Sequence, residues 1–154
     1  MGVGLGSITG GYMIGSAITA RLSPRLGLAP MILAGRALAL AGLCAGAGVF
    51  AAGYSHPLVL FAATICVGLG NGLTLANTNA GLISVRPDLA GSAAGLSGAL
   101  QLFGGAVLTG LTLPVMAAGA TPLRLLALMI AASCVALMLA VLAVRGAARQ
   151  VQAD

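Results

Sequence analysis

Five long stretches almost free of charge constrain this chain more than any motif within it. Cutting the sequence at its charges, prolines and small polar clusters leaves apolar spans at residues 1–20, 30–52, 58–83, 90–116 and 122–144. At 1.5 Å per helical residue, about 20 residues cross the roughly 30 Å hydrocarbon core of a bilayer. Backbone N–H and C=O groups in hydrocarbon must pair inside the protein, which leaves helices and closed barrels. Barrel strands would alternate apolar and polar residues over segments of about ten. The runs of Ala, Leu, Gly and Val here are continuous. The expected fold is therefore all-α, a single polytopic transmembrane helix bundle of five spans over residues 1–154. Its short connections make consecutive helices antiparallel hairpins.

Composition removes the competing classes. With 60% hydrophobic residues and a mean hydropathy of +1.12, the seven basic and two acidic side chains cannot coat a water-soluble domain of this length. The bilayer is the expected solvent. A formal charge of +5 raises the question of a nucleic-acid partner, but the arginines are scattered singly and aromatic residues make up 3%, so no stacking platform or basic stripe exists. Cys44, Cys66 and Cys134 each lie in an apolar run without CxxC spacing and read as small packing residues; no metal or cofactor is expected. No His cluster, acid pair or Ser-His-Asp set occurs within the spans, which speaks against an enzyme.

The punctuation between spans agrees with the cut. Pro30, Pro57 and Pro122 lie where helices should begin, because proline in the first turn loses no hydrogen bond, and Asp88 and Thr121 are plausible N-caps. Arg21, Arg25, Arg86, Arg145 and Arg149 fall on connections at one membrane face, with Arg36 near it, whereas the other face has only Arg124. By the positive-inside rule the arginine-rich face is cytoplasmic, which puts the N-terminus outside and the C-terminus inside. The first span lacks a positive n-region and a cleavage pattern, so it is a poor signal peptide. Its many glycines make it a weak inserter, expected to enter the membrane behind earlier helices.

Polar side chains at membrane depth are costly and mark cavities or helix contacts. Asn71, Thr74 and Thr78 fall at i, i+3 and i+7 and share a helix face, with Asn77 and Asn79 close by; they either line a cavity or act as interhelical hydrogen-bonding glue. Ser97, Gln101 and Gly105 make a second stripe, equally open to lining or packing. Pro114 should kink its span, as a hinge or as an end-of-helix adjustment. Glycines recur every four residues at Gly2, Gly6 and Gly10, at Gly42 and Gly46, at Gly68 and Gly72, and at Gly91 and Gly95. Each set is expected to form a groove for close helix approach. Arg36, placed near an interface, either snorkels or meets a gating partner.

Residues 21–27, Arg-Leu-Ser-Pro-Arg-Leu-Gly, look like the loop between the second and third helices of each half of the major facilitator superfamily. The fuller pattern there is Gly-x-x-x-Asp-Arg-x-Gly-Arg-Arg. Arg25 and Gly27 match its core, while Ala20, Pro24, Leu28 and Ala29 depart from it. Residues 68–72, Gly-Leu-Gly-Asn-Gly, begin a stretch that continues through Asn77, Ala80, Arg86, Gly91 and Gly95. This stretch is similar to the tenth and eleventh helices of the Bcr/CflA type of drug-resistance exporters, with Thr78 departing from the small residue expected there.

The resemblance implies helices eight to twelve of a twelve-helix secondary transporter of the bacterial inner membrane, exporting drugs or other small amphipathic molecules by alternating access. The implied partners are lipid, a small-molecule substrate and the N-terminal half of the transporter, which this chain lacks. The substrate-pathway candidates are Asn71, Thr74, Asn77, Thr78, Ser97 and Gln101, and the candidates for cytoplasmic gating are Arg21, Arg25, Gly27 and Arg36. Antiport of protons, as in such exporters, needs a carboxylate from outside this chain. Asp88 and Asp154 lie beyond the spans, and His56 falls in an external connection. The alternative is a non-transporting integral membrane protein or a fragment that needs a partner chain.

Overall fold

The computed structural model of the chain describes the backbone of residues 2–53, 57–85, 89–117, 119 and 121–151. Five helices follow one another, α1 (Gly2–Leu26), α2 (Leu28–Ala51), α3 (Pro57–Val85), α4 (Ala90–Ala117) and α5 (Pro122–Val151). Pro57 and Pro122 open their helices as expected. Thr121 caps α5, its hydroxyl accepting from the Arg124 amide at 3.4 Å and its carbonyl from the Leu125 amide at 3.2 Å, which satisfies donors that a helix start leaves orphaned. Pro30 lies two residues inside α2, still within the first turn, where its missing N–H costs nothing. Asp88 lies outside the described residues, as do His56, Arg86 and Asp154.

The first connection differs from the sequence expectation. Arg21, Pro24 and Arg25 belong to α1 rather than to a loop, and the turn into α2 is reduced to Gly27. Charge ends an apolar span but not a helix, because arginine is a good helix former. What ends α1 is Gly27, three residues beyond Pro24. The Gly27 amide closes the last turn onto the Ser23 carbonyl at 2.9 Å, and its φ of +85° lies where a side chain would be strained.

The helices pack around α3, which lies against α1 along one side and α2 along the other; α2 also packs on α5, while α4 makes only narrow contacts with α3 and α5. Glycines permit the two main contacts. A Cβ on Gly72 would fall on the Tyr12 carbonyl and 2.9 Å from the Ser16 amide, one on Gly11 would meet the Ile65 carbonyl at 2.8 Å, and one on Gly35 the Gly70 carbonyl at 2.7 Å. Gly42 and Gly46 likewise face Cys66 and Ala63. Gly6, Gly10, Gly91 and Gly95, by contrast, have open space beside them, so the first helix uses Gly11 and Gly15, not the every-fourth set read from sequence.

The bundle is apolar outside and partly polar within. Leu102 is 79% exposed and Phe103 69%, whereas Asn77 has no exposed surface and Thr74 and Thr19 are buried. Water would penalise that outer surface; hydrocarbon does not. Among the described residues, three helical segments are long and apolar enough to cross a membrane, Leu28–Ala51, Ala90–Pro114 and Leu123–Gly146, which is compatible with an integral membrane protein. α1 and α3 have sufficient length at 25 and 29 residues; glycine, serine and threonine dilute the apolar content of α1.

Candidate functional site

A cavity of about 510 Å³ lies between α2, α3 and α4. Arg36 lines it from α2, Thr74 and Thr78 from α3, and Ser97 and Gln101 from α4, with Leu75, Leu96 and Leu100 as apolar wall. At 1.5 Å per residue, Arg36 stands about 12 Å along α2 and Gln101 about 16 Å along α4, so these groups lie away from the helix ends, in a cleft whose α4 side, with Leu96, Leu100 and Gln101, is exposed. Arg36 Nη1 donates across to Asn71 Oδ1 on α3 at 3.4 Å.

The hydroxyls of α3 are tied to their own helix. Thr74 Oγ1 donates to the Gly70 carbonyl at 2.8 Å and Thr78 Oγ1 to the Thr74 carbonyl at 2.9 Å, which leaves their lone pairs as acceptors. On α4, Gln101 Nε2 donates to Ser97 Oγ at 3.3 Å, joining the two polar residues of that stripe. The cavity thus offers one guanidinium, one amide and three hydroxyls, an arrangement that can orient a small solute but holds no nucleophile-base pair.

A second polar cluster occupies the opposite side of α3. Ser23 Oγ donates to Asn77 Oδ1 at 2.6 Å, and Asn77 Nδ2 donates to the Leu73 carbonyl at 2.6 Å and to Thr19 Oγ1 at 3.3 Å. Thr19 Oγ1 in turn reaches the Leu73 carbonyl at 3.4 Å. Asn77 therefore spends its amide on holding α1 to α3. A cavity of about 500 Å³ adjoins this cluster, lined in part by Ser16, Thr19, Ser23 and Asn77.

Of the six pathway candidates, Thr74, Thr78, Ser97 and Gln101 share the first cavity, Asn71 supports it through Arg36, and Asn77 stands apart on the α1 side. Asn79 is exposed. The four gating candidates divide as well: Arg21 and Arg25 are exposed on the last turns of α1, Gly27 is the junction, and Arg36 belongs to the cavity. Sequence reasoning passed over Ser16, Thr19 and Ser23. Their i, i+3, i+7 spacing is the same signal that picked out Asn71, Thr74 and Thr78.

Two further clefts are apolar. One lies between α2 and α3 around Gly42, Val59 and Cys66, the other between α4 and α5 around Leu108, Leu111 and Val135. Cys44 and Cys134 are exposed, and all three cysteines are free thiols. Among the described residues no cluster of His, Cys, Asp or Glu has the makings of a metal site. No protein-family model, no curated protein and no solved structure matches this chain.

Proposed function

We propose that this chain is a segment of a secondary transporter of the major facilitator type, resembling the Bcr/CflA exporters, and that it moves drugs or other small amphipathic molecules outward by alternating access. The observation that supports this reading is the cavity between α2, α3 and α4, where polar groups from three helices converge at depth between leucine walls. Intramembrane polar residues that face a shared cavity are the usual mark of a solute path. The volume also falls within the range of small-molecule sites, about 300–1,000 Å³.

In this reading the arginine-rich face is cytoplasmic in the inner membrane, and helices from the missing N-terminal half cover α4. That helix now exposes Leu96, Leu100, Leu102 and Phe103 at 62–79% each. The protein is not an enzyme, and a proton-carrying carboxylate, where transport is proton-coupled, comes from the missing helices, since none of the five helices contains an acidic residue.

Export assays on cells expressing the full reading frame test the proposal, with the chain intact or carrying Asn71→Leu or Gln101→Leu. The intact protein is expected to lower the accumulation of fluorescent amphipathic dyes. Either substitution is expected to weaken export about tenfold, the equivalent of about 1.4 kcal/mol in binding. Export unaltered by both substitutions removes the cavity from the pathway.

A further inference from the structure

Arg36 is a cation without a counter-charge in its own bundle. No aspartate or glutamate occurs within α1 to α5, so no acidic side chain of these helices can neutralise it. Its one side-chain partner among the described residues, the Asn71 carbonyl oxygen at 3.4 Å, engages one of five guanidinium donors. A lone arginine within a membrane helix is costly, a cost that an ion-paired ligand would offset.

The surroundings specify the ligand. Across the cavity from α2 stand the Ser97 hydroxyl and the Gln101 amide, which add neutral hydrogen-bonding groups opposite the guanidinium, while Leu75, Leu96 and Leu100 give an apolar wall. Guanidinium groups pair with planar or tetrahedral oxyanions through two parallel N–H donors. We infer that this cavity binds an oxyanion, a carboxylate, sulfonate or phosphate, carried on an apolar body, with Arg36 as its counter-charge and Ser97 and Gln101 as the facing polar contacts. The inference deepens the transport reading and rests on it, because it names the charge of the cargo.

A matched pair of probes tests this on the full chain in non-ionic detergent micelles, with empty micelles as the blank: 5-dimethylaminonaphthalene-1-sulfonate and its neutral sulfonamide. The intact chain should bind the sulfonate about tenfold more tightly than the sulfonamide, a difference of about 1.4 kcal/mol. Arg36→Gln should bring that ratio to near one, whereas Arg36→Lys, which keeps a positive charge, and Asn71→Leu, which keeps the arginine, should retain a preference. Helicity by circular dichroism confirms that each variant folds, and the ratio in the intact chain stands whether or not a variant does. Displacement of the sulfonate by phosphatidylglycerol assigns the oxyanion to a lipid headgroup, and failure to displace it assigns a soluble amphiphile; the anion site holds in both cases. Equal binding of the two probes, or a preference that survives in a folded Arg36→Gln, overturns the inference while leaving the cavity as a solute site. Binding of neither probe overturns the inference and the transport reading together.

Discussion

Asn77 has no exposed surface, and its amide is spent on Ser23, Thr19 and the Leu73 carbonyl. Interhelical hydrogen bonds inside membranes contribute about 0.6 kcal/mol on average and at most about 1.7. A buried partner left unsatisfied adds a penalty of about 1–3 kcal/mol. Asn77→Ala strands the Ser23 hydroxyl and takes a donor from Thr19, so it should lower stability by about 1–3 kcal/mol in denaturation of the micelle-bound protein. Thr78→Ala removes only a bond to the carbonyl one turn back on the same helix and should cost under about 0.5 kcal/mol. Equal losses in the two variants would show that Asn77 does not hold α1 to α3. The same residues mark what periodicity can reveal. The shared face of Thr74 and Thr78 followed from their spacing on one helix, but the direction of Asn77 and the reach of Arg36 to Asn71 depend on which helix lies opposite, and a single strand of sequence does not contain that register.

At the scale of the element, the helices were legible because long apolar runs leave few alternatives, and their ends were less so. The arginines near the end of α1 read as a loop, yet the helix runs through them and stops at Gly27. Glycine spacing had the opposite defect, since every set of small residues looked like a groove although only those facing a neighbour serve as one. Gly72 shows the difference: a Cβ there would strike backbone atoms of Tyr12, Ser16 and Gly15, so a side chain can be accommodated only if α1 moves. Gly72→Ala should cost about 1–3 kcal/mol by overpacking. Gly10→Ala and Gly95→Ala, with nothing beside them, should instead stabilise by about 0.5–1 kcal/mol through better helix propensity. Thermal melts of the three variants in one detergent check the sign as well as the size. A stabilising Gly72→Ala would contradict the close α1–α3 contact.

For the whole molecule, the number of crossings turns on α3. Its asparagines and threonines would be costly in contact with lipid, but α1 and α2 flank it, and Thr74 and Asn77 are buried in protein. A helix sheathed by other helices can carry such groups across a bilayer, because protein rather than hydrocarbon surrounds them. The parity of the crossings is testable. If α2, α3, α4 and α5 all cross, Arg25 and Arg145 lie on the same side of the membrane, and if α3 does not, they lie on opposite sides. In a background with Cys44, Cys66 and Cys134 replaced by alanine, single substitutions Arg25→Cys, Ala52→Cys, Ala117→Cys and Arg145→Cys can be treated with an impermeant maleimide on intact cells. Label should reach Ala52→Cys and Ala117→Cys from outside, and Arg25→Cys and Arg145→Cys only after the membrane is permeabilised. Labelling of Arg25→Cys and Arg145→Cys from opposite sides would take α3 out of the membrane, and with it the depth at which Arg36 meets Asn71.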